Sequence, residues 1–167
     1  TWPGTWLDAA EDIRTLPERY IEPQELWQIM AKHGVGNQQV LARSLHELGD
    51  ILFFQNENDL NDTIILKPQW LTEHISRVLE SDDVIGRDGI FTRDHMDQLW
   101  VELPRTLRDH FLRLMEQFDL SYRTLEDREI SLVVERLPLD PPENHEEKWN
   151  AIKETKPCRE IAIKFEL

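Results

Sequence analysis

The chain has one cysteine, Cys158, among 167 residues, so no intramolecular disulfide can staple it. A lone thiol fits a reducing compartment, and a cytoplasmic setting is expected. Glycine is scarce, at six residues. None of these glycines stands in a phosphate-binding pattern: Gly34 and Gly36 are followed by Asn37 and Gln38, where such a loop needs Lys and Ser or Thr. Neither that motif nor a dinucleotide fingerprint is present, so the segment is not expected to bind nucleotide itself. Long apolar runs are missing as well, which excludes a spanning helix or a signal peptide as sequence features. Positive charge is in deficit. Against 33 acidic side chains stand 19 basic ones, for a net charge of −14. That field repels phosphate backbones and anionic membranes.

The six histidines lack metal-ligand spacing with each other or with Cys158. Asp82, Asp83, Asp88 and Asp94 lack the alternation and terminal glutamate of an EF-hand and read as a solvated acidic loop. His74 lies near an apolar helix face and reads as a satisfied core or boundary histidine. No nucleophile has a partnered base. Catalytic residues, cofactor ligands and metal ligands are therefore none.

What is present is a regular alternation of amphipathic helices and short apolar strands. Apolar residues make up 40% of the chain, enough for a sizeable core. Trp2, Trp6, Ala9, Ile13 and Leu16 recur at helical steps, so residues 3–16 form a lead-in helix that Pro17 ends. Tyr20 and Ile21 add a short strand. A helix from Pro23 to about Lys32 and another from about Asn37 to Leu48 follow, the latter burying Val40, Leu41, Leu45 and Leu48. Gly49 stops it in the left-handed conformation. Ile51–Phe54 suits a buried strand, Asn56–Asp62 is a polar turn, and Thr63–Leu66 is β-branched and apolar. Pro68 fits the first turn of a helix to about Glu80. Helix, strand, wing and strand in this order is the pattern of a winged helix.

The pattern recurs at residues 93–135. Asp94 can cap a helix to Trp100. Pro104 opens a longer helix to about Phe118, with Leu107, Phe111, Leu114, Met115 and Phe118 on its apolar face. Leu120–Arg123 and Glu129–Val134 are strand-like. Asp140–Asn144 reads as a linker, and Ile161, Ile163, Phe165 and Leu167 alternate as in a half-buried strand. The expected fold is α+β, mostly helical, with tandem winged-helix-like units. Its divisions are a lead-in helix and linker (1–19), a first unit with its following helix (20–92), a second unit (93–138), a linker (139–158) and a strand of a following subdomain (159–167). The chain lacks an initiator Met and begins inside a structured pattern, so a piece of a larger protein is expected.

The stretch LHELGDILFF, its acidic turn and IILKPQWL resemble the COR domain, the module that follows the Roc GTPase in Roco proteins. The likeness extends to TWPGTW, LPERYI, GIFTRDHMDQLW, LMEQFDLSY and SLVVERLP, and to LPLDPPENHEEKW and REIAIKFEL at the end. It implies that residues 1–138 are the N-terminal COR subdomain. It also implies a non-catalytic module for interaction, dimerisation and signal relay, packing on the upstream Roc domain and coupling GTP/GDP state to its neighbours. The implied partners are the Roc domain, the C-terminal COR subdomain and a second copy of the chain. GTP, GDP and Mg would belong to the Roc domain of a parent GTPase, with a kinase domain as a possible companion.

The docking surface expected from this reading is Phe54, Ile64, Ile65, Leu66 and Trp70. Ile64 and Leu66 share one strand face and Ile65 points oppositely, so one set is expected to face outward or meet a partner. Two alternatives stand beside it. Arg105, Arg108, Arg113, Arg123 and Arg128 form a local basic patch that a nucleic-acid-binding winged helix could use, although Asp109 and Glu116 stand close enough to pair with it. A passive structural spacer is the other.

Overall fold

The computed structural model describes residues 2–141 and 143–155. The expected strand over 159–167, and Cys158, lie outside them. The described residues fall into two compact units, divided after Leu137.

The first unit opens with α1 (Gly4–Thr15), which buries Ala9, Ala10 and Ile13. Strand β1 (Tyr20–Ile21) leads to α2 (Pro23–Lys32), whose Pro23 sits in the first turn after a Glu22–Glu25 capping box. Helix α3 (Gln38–Glu47) starts at Asn37, whose side chain accepts from the Val40 N–H. Gly49 ends it at φ +77°, and the Asp50 N–H closes on the Leu45 carbonyl at 2.9 Å. Leu52 exchanges both backbone hydrogen bonds with Ile65. Strand β2 (Ile64–Ile65) also pairs antiparallel with β1, in the register Tyr20↔Ile65 and Ile21↔Ile64.

The same order then repeats. After α4 (Pro68–Leu79) and a short α5 (Asp82–Ile85) come β3 (Ile90–Thr92), α6 (Arg93–Leu99), α7 (Arg105–Gln117), β4 (Ser121–Arg123) and β5 (Ile130–Val133). The sheet order is β3-β5-β4, all antiparallel. In both halves the last strand is central, flanked by the strand before the helix pair and the strand after it. The α+β, mostly helical class with winged-helix-like units thus holds.

Three local expectations are corrected. The acidic stretch from Asp82 to Asp94, expected as a solvated loop, contains strand β3, because Phe91 finds its partner Ser131 far along the chain. Thr92, not Asp94, caps α6. Its hydroxyl accepts from the His95 N–H at 3.4 Å, and its own N–H donates to His95 Nδ1 at 3.3 Å. Val40 and Leu48 are exposed, at 45% and 65%, while Ala42 is buried. Leu41, Ala42 and Leu45 form the inward stripe of α3. Val40 is about 100° round the helix from Leu41, and Leu48 is the C-cap, where the chain turns away.

Two cores fill this unit. The N-terminal core runs from Ala9 to Leu66, and the C-terminal core from Leu60 to Val133. Gly89 closes the second half. Its φ is +81°, and an added Cβ would lie 2.7 Å from the Val133 carbonyl oxygen, a backbone atom. Gly89→Ala is therefore expected to lower stability by about 2–3 kcal/mol, read as a lower denaturation midpoint at unchanged slope.

In the second unit, part of the segment expected as linker is helical: α8 runs from His145 to Thr155, with Glu146 and Glu147 in its first turn. Lys153 Nζ lies 5.5 Å from the Trp149 ring centre.

Candidate docking surface

Strand β2 lies between the two cores. Ile64 and Leu66 point into the N-terminal core and Ile65 into the C-terminal core. All three are buried, at 0%, 4% and 0% respectively. The expectation that one face of this strand meets an outside partner is corrected. Alternating side chains demand two apolar environments, and the fold supplies both from within the chain.

Trp70 on α4 is nearly as enclosed, at 8% exposure. The Tyr20 ring stacks on it, 6.1 Å between centroids and 9° between planes. The Arg19 guanidinium lies 5.4 Å from its centre, and Phe111 meets it edge-on at 5.2 Å. Its buried Nε1 has no hydrogen-bond partner among the described residues. Trp70 is thus a core residue that joins β1 to α7. Exposed Tyr20 and Arg19 cover it.

Phe54 stays at the surface. It is half-buried, with His46 5.0 Å away and Phe118 5.9 Å away, both edge-on. His46 Nδ1 accepts from the Phe53 N–H at 3.3 Å, which fixes the imidazole against the chain beside it. Between α3 and residues 53–57 lies an open cleft of about 590 Å³, lined by Val40, Arg43 and Glu47 on one side and by Phe53 and Phe54 on the other. Exposed Val40 and Phe118 (42%) extend the apolar character on either side of Phe54. The residues sequence reasoning missed here are Val40 and Phe118. Both sit at the margin of a helical apolar stripe, which hydropathy spacing does not separate from its centre.

His74 is a satisfied core histidine, as expected. It is 1% exposed, with Nδ1 2.8 Å from the Trp70 carbonyl and Nε2 3.1 Å from Glu102 Oε1. Arg77 also binds Glu102. The Glu102 carboxyl is held below its ordinary range, first by a hydrogen bond from its own backbone and then by Arg77, with burial opposing.

The basic patch is largely spent inside the fold. Arg108 donates to the Leu103 and Val101 carbonyls at 2.8 and 3.0 Å and to Asp97 at 2.6 Å, stapling the start of α7. Arg113 donates to the Asp59 carbonyl at 2.9 Å. Arg123 grips Glu116 with two bonds of 2.5 and 2.7 Å, and that contact raises the already high pKa of its guanidinium. The pairings differ from those nearest in sequence: Asp109 goes to Arg93 and Glu116 to Arg123. Only Arg105 and Arg128 of the five make no side-chain hydrogen bond or ion pair among the described residues.

The family model for the COR-A domain (C-terminal of Roc) matches residues 3–137. The chain belongs to the COR-A family. It is 33% identical over 85 residues to the probable serine/threonine-protein kinase pats1 of Dictyostelium discoideum, an overlap of 50% of this chain and 3% of that protein. It is 25% identical over 126 residues to the Roc-COR-CHAT protease of Runella zeae, covering 71% of this chain and 13% of that one. Among solved structures, that of Methanosarcina barkeri Roco2 RocCORdC bound to GDP superposes with a TM-score of 0.69 at 24% identity, over 81% of this chain and 44% of that one. That likeness shows the fold. COR-A is a non-catalytic domain, and in Roco proteins the COR region follows a Roc domain. The chain thus spans a small part of the curated relatives it matches. Among the described residues, no helix is long and apolar enough to cross a membrane.

Proposed function

We propose that this COR-A domain docks on the Roc GTPase domain that precedes it in the parent protein and relays GTP/GDP state to neighbouring domains. Dimerisation with a second copy, through the C-terminal COR subdomain, belongs to the same reading. So does a cytoplasmic parent that is a GTPase, with or without a kinase domain. GTP, GDP and Mg would be held by the Roc domain. The observation that carries the reading is the COR-A match over residues 3–137. A second observation supports it: the two relatives above are named a kinase and a protease, so the region they share with this chain accounts for neither name.

The docking face is the cleft between α3 and residues 53–57, with Phe54 as its anchor and Val40 on its rim. An aromatic residue beside a concave surface with apolar and charged lining is the usual make-up of a binding hot spot. Nucleotide exchange would shift which Roc surface meets this face, and a relay requires that the two states bind with different free energies.

The test is a titration of this chain against its upstream domain, prepared separately with GDP and with a non-hydrolysable GTP analogue, and followed by tryptophan fluorescence. The expected result is about a fivefold or larger difference in affinity, corresponding to a coupling of at least ~1 kcal/mol. Phe54→Ala combined with Val40→Asp is expected to weaken binding by about tenfold or more while the circular dichroism spectrum is unchanged. Equal affinity in both nucleotide states would make the domain a passive spacer. Salt-sensitive binding to duplex DNA without Roc binding would favour the nucleic-acid alternative through Arg105 and Arg128.

A further inference from the structure

The two winged helices match position by position. Glu22 and Thr92 cap the first helix of each pair. The strand before each cap pairs with the central strand in one register, Tyr20↔Ile65 in the first winged helix and Ile90↔Leu132 in the second. On the far side of the central strand, Leu52 faces Ile65 and Tyr122 faces Leu132. The row Tyr20, Ile65 and Leu52 thus has its counterpart in Ile90, Leu132 and Tyr122.

In the first winged helix that row is covered. Helix α4 sets Trp70 against it: Tyr20 stacks on the Trp70 ring, and Ile65 and Leu52 pack in the same core. The first wing is covered as well. Leu60 is buried in that core, Arg113 on α7 donates to the Asp59 carbonyl, and Asp62 Oδ1 lies 3.5 Å from His110 Nδ1. The second winged helix is bare on the same side. Leu132 points away from the buried Ser131 and Val133 that flank it. Beside it Ile90 is 37% and Tyr122 51% exposed, and Leu125 on the wing is fully exposed. The Tyr122 hydroxyl donates to Asp119, which holds the ring in place next to this row. Grouped apolar side chains on an open face mark an interaction site, whereas scattered ones do not.

Charge narrows the kind of partner. Residues 82–94 and 119–136, which supply the strands and the wing, carry nine acidic side chains against five arginines. Three of those arginines are committed: Arg93 to Asp109 and Glu129, Arg123 to Glu116, and Arg136 to the Leu79 carbonyl. Asp88 and Asp94 on either side of β3, and Glu126 on the wing, make no side-chain hydrogen bond or ion pair among the described residues. An acidic frame round an apolar row favours a partner with apolar centre and basic flanks.

We propose that the outer face of the β3-β5-β4 sheet docks an amphipathic helix of a partner protein, with an aromatic anchor on its apolar face and basic residues on its flanks. The helix lies as α4 lies on the first sheet, its anchor beside Ile90 as Trp70 lies beside Tyr20. This face shares no residue with the cleft at Phe54, and its use does not depend on Roc docking.

The test takes α4 itself as the probe, because α4 already fits the equivalent row. A peptide of residues 67–80 is titrated into the isotope-labelled 167-residue chain and followed by amide chemical shifts. Three versions of the peptide are compared. Glu73→Lys adds positive charge and Arg77→Glu negative charge at exposed helix positions, and Trp70→Ala removes the anchor. The Glu73→Lys peptide is expected to shift Ile90, Tyr122 and Leu132 and to bind about tenfold more tightly than the other two. Ile90→Asp combined with Tyr122→Asp in the chain is expected to weaken that binding about tenfold or more, with the circular dichroism spectrum unchanged. Four results would each overturn the proposal: no binding of the Glu73→Lys peptide, equal binding of the Arg77→Glu peptide, shifts confined to the Phe54 cleft, or a dimer of the chain that Tyr122→Asp dissociates. In the last case the face belongs to a second copy. The peptide comparison decides the matter if the double variant does not fold.

Discussion

Ile65→Asp is expected to abolish the folded domain. Ile65 is fully buried, its backbone is paired with Leu52 on one side and Tyr20 on the other, and its side chain lies in the C-terminal core. Losing a buried Ile costs about 2–5 kcal/mol in packing. Placing an unpaired carboxylate there adds several kcal/mol, or forces it to take up a proton. The sum is comparable with the whole stability of a domain this size, about 5–15 kcal/mol. The measurement is a denaturant titration followed by circular dichroism: no cooperative transition for Ile65→Asp, and a loss of only about 1 kcal/mol for Ile65→Val. A soluble Ile65→Asp protein with a wild-type midpoint and impaired Roc binding would mean that β2 is a surface after all.

The second large effect is expected at Trp100. Its side chain is fully buried at the end of α6 and meets Phe91 and Phe111 edge-on at 5.7 and 5.8 Å. Its Nε1–H donates to the His74 carbonyl at 2.9 Å. Trp100 thereby ties α4, β3 and α7 to one another. Trp100→Ala is expected to cost about 3–5 kcal/mol, since the cavity borders three elements and cannot collapse without moving one of them. Trp100→Phe keeps a ring and loses the hydrogen bond, for about 1–2 kcal/mol. Equilibrium unfolding of the two variants separates packing from hydrogen bonding. Similar losses in both would place the contribution in the N–H bond instead.

The helices were legible because their signals are local. Pro23 and Pro68 stand at first turns, Asn37 is a cap, Gly49 is a stop, and the apolar spacing of α1, α2, α4 and α7 is regular. The β-hairpin of the second half was legible from two β-prone runs around a polar turn. Strand β3 was not, although its counterpart β1 occupies the same place before a helix pair. Three residues after a glycine carry too little pattern, and the strand exists only because β5 lies alongside.

The candidate site divides in the same way. Phe54 was chosen from sequence and is half-exposed beside a cleft. Ile64, Ile65 and Leu66 were chosen with it on the argument that one strand face must look outward, which assumes a single core. The basic patch was counted from residue types. Composition cannot tell that Arg108 and Arg113 would turn to backbone carbonyls at the α6–α7 turn and on the first wing.

The sequence by itself determined the class of fold, the order of the main helices and of the hairpin strands, and the absence of any recognisable nucleotide-binding loop, because periodicity, caps and motifs act within a few residues of each other. The tertiary structure alone decided which apolar residues are surface and which arginines are unpaired. Burial is a property of what packs from elsewhere in the chain. Here a second core behind β2 encloses a strand that would otherwise face solvent, and a distant wing supplies the carbonyl and carboxylate that meet α7.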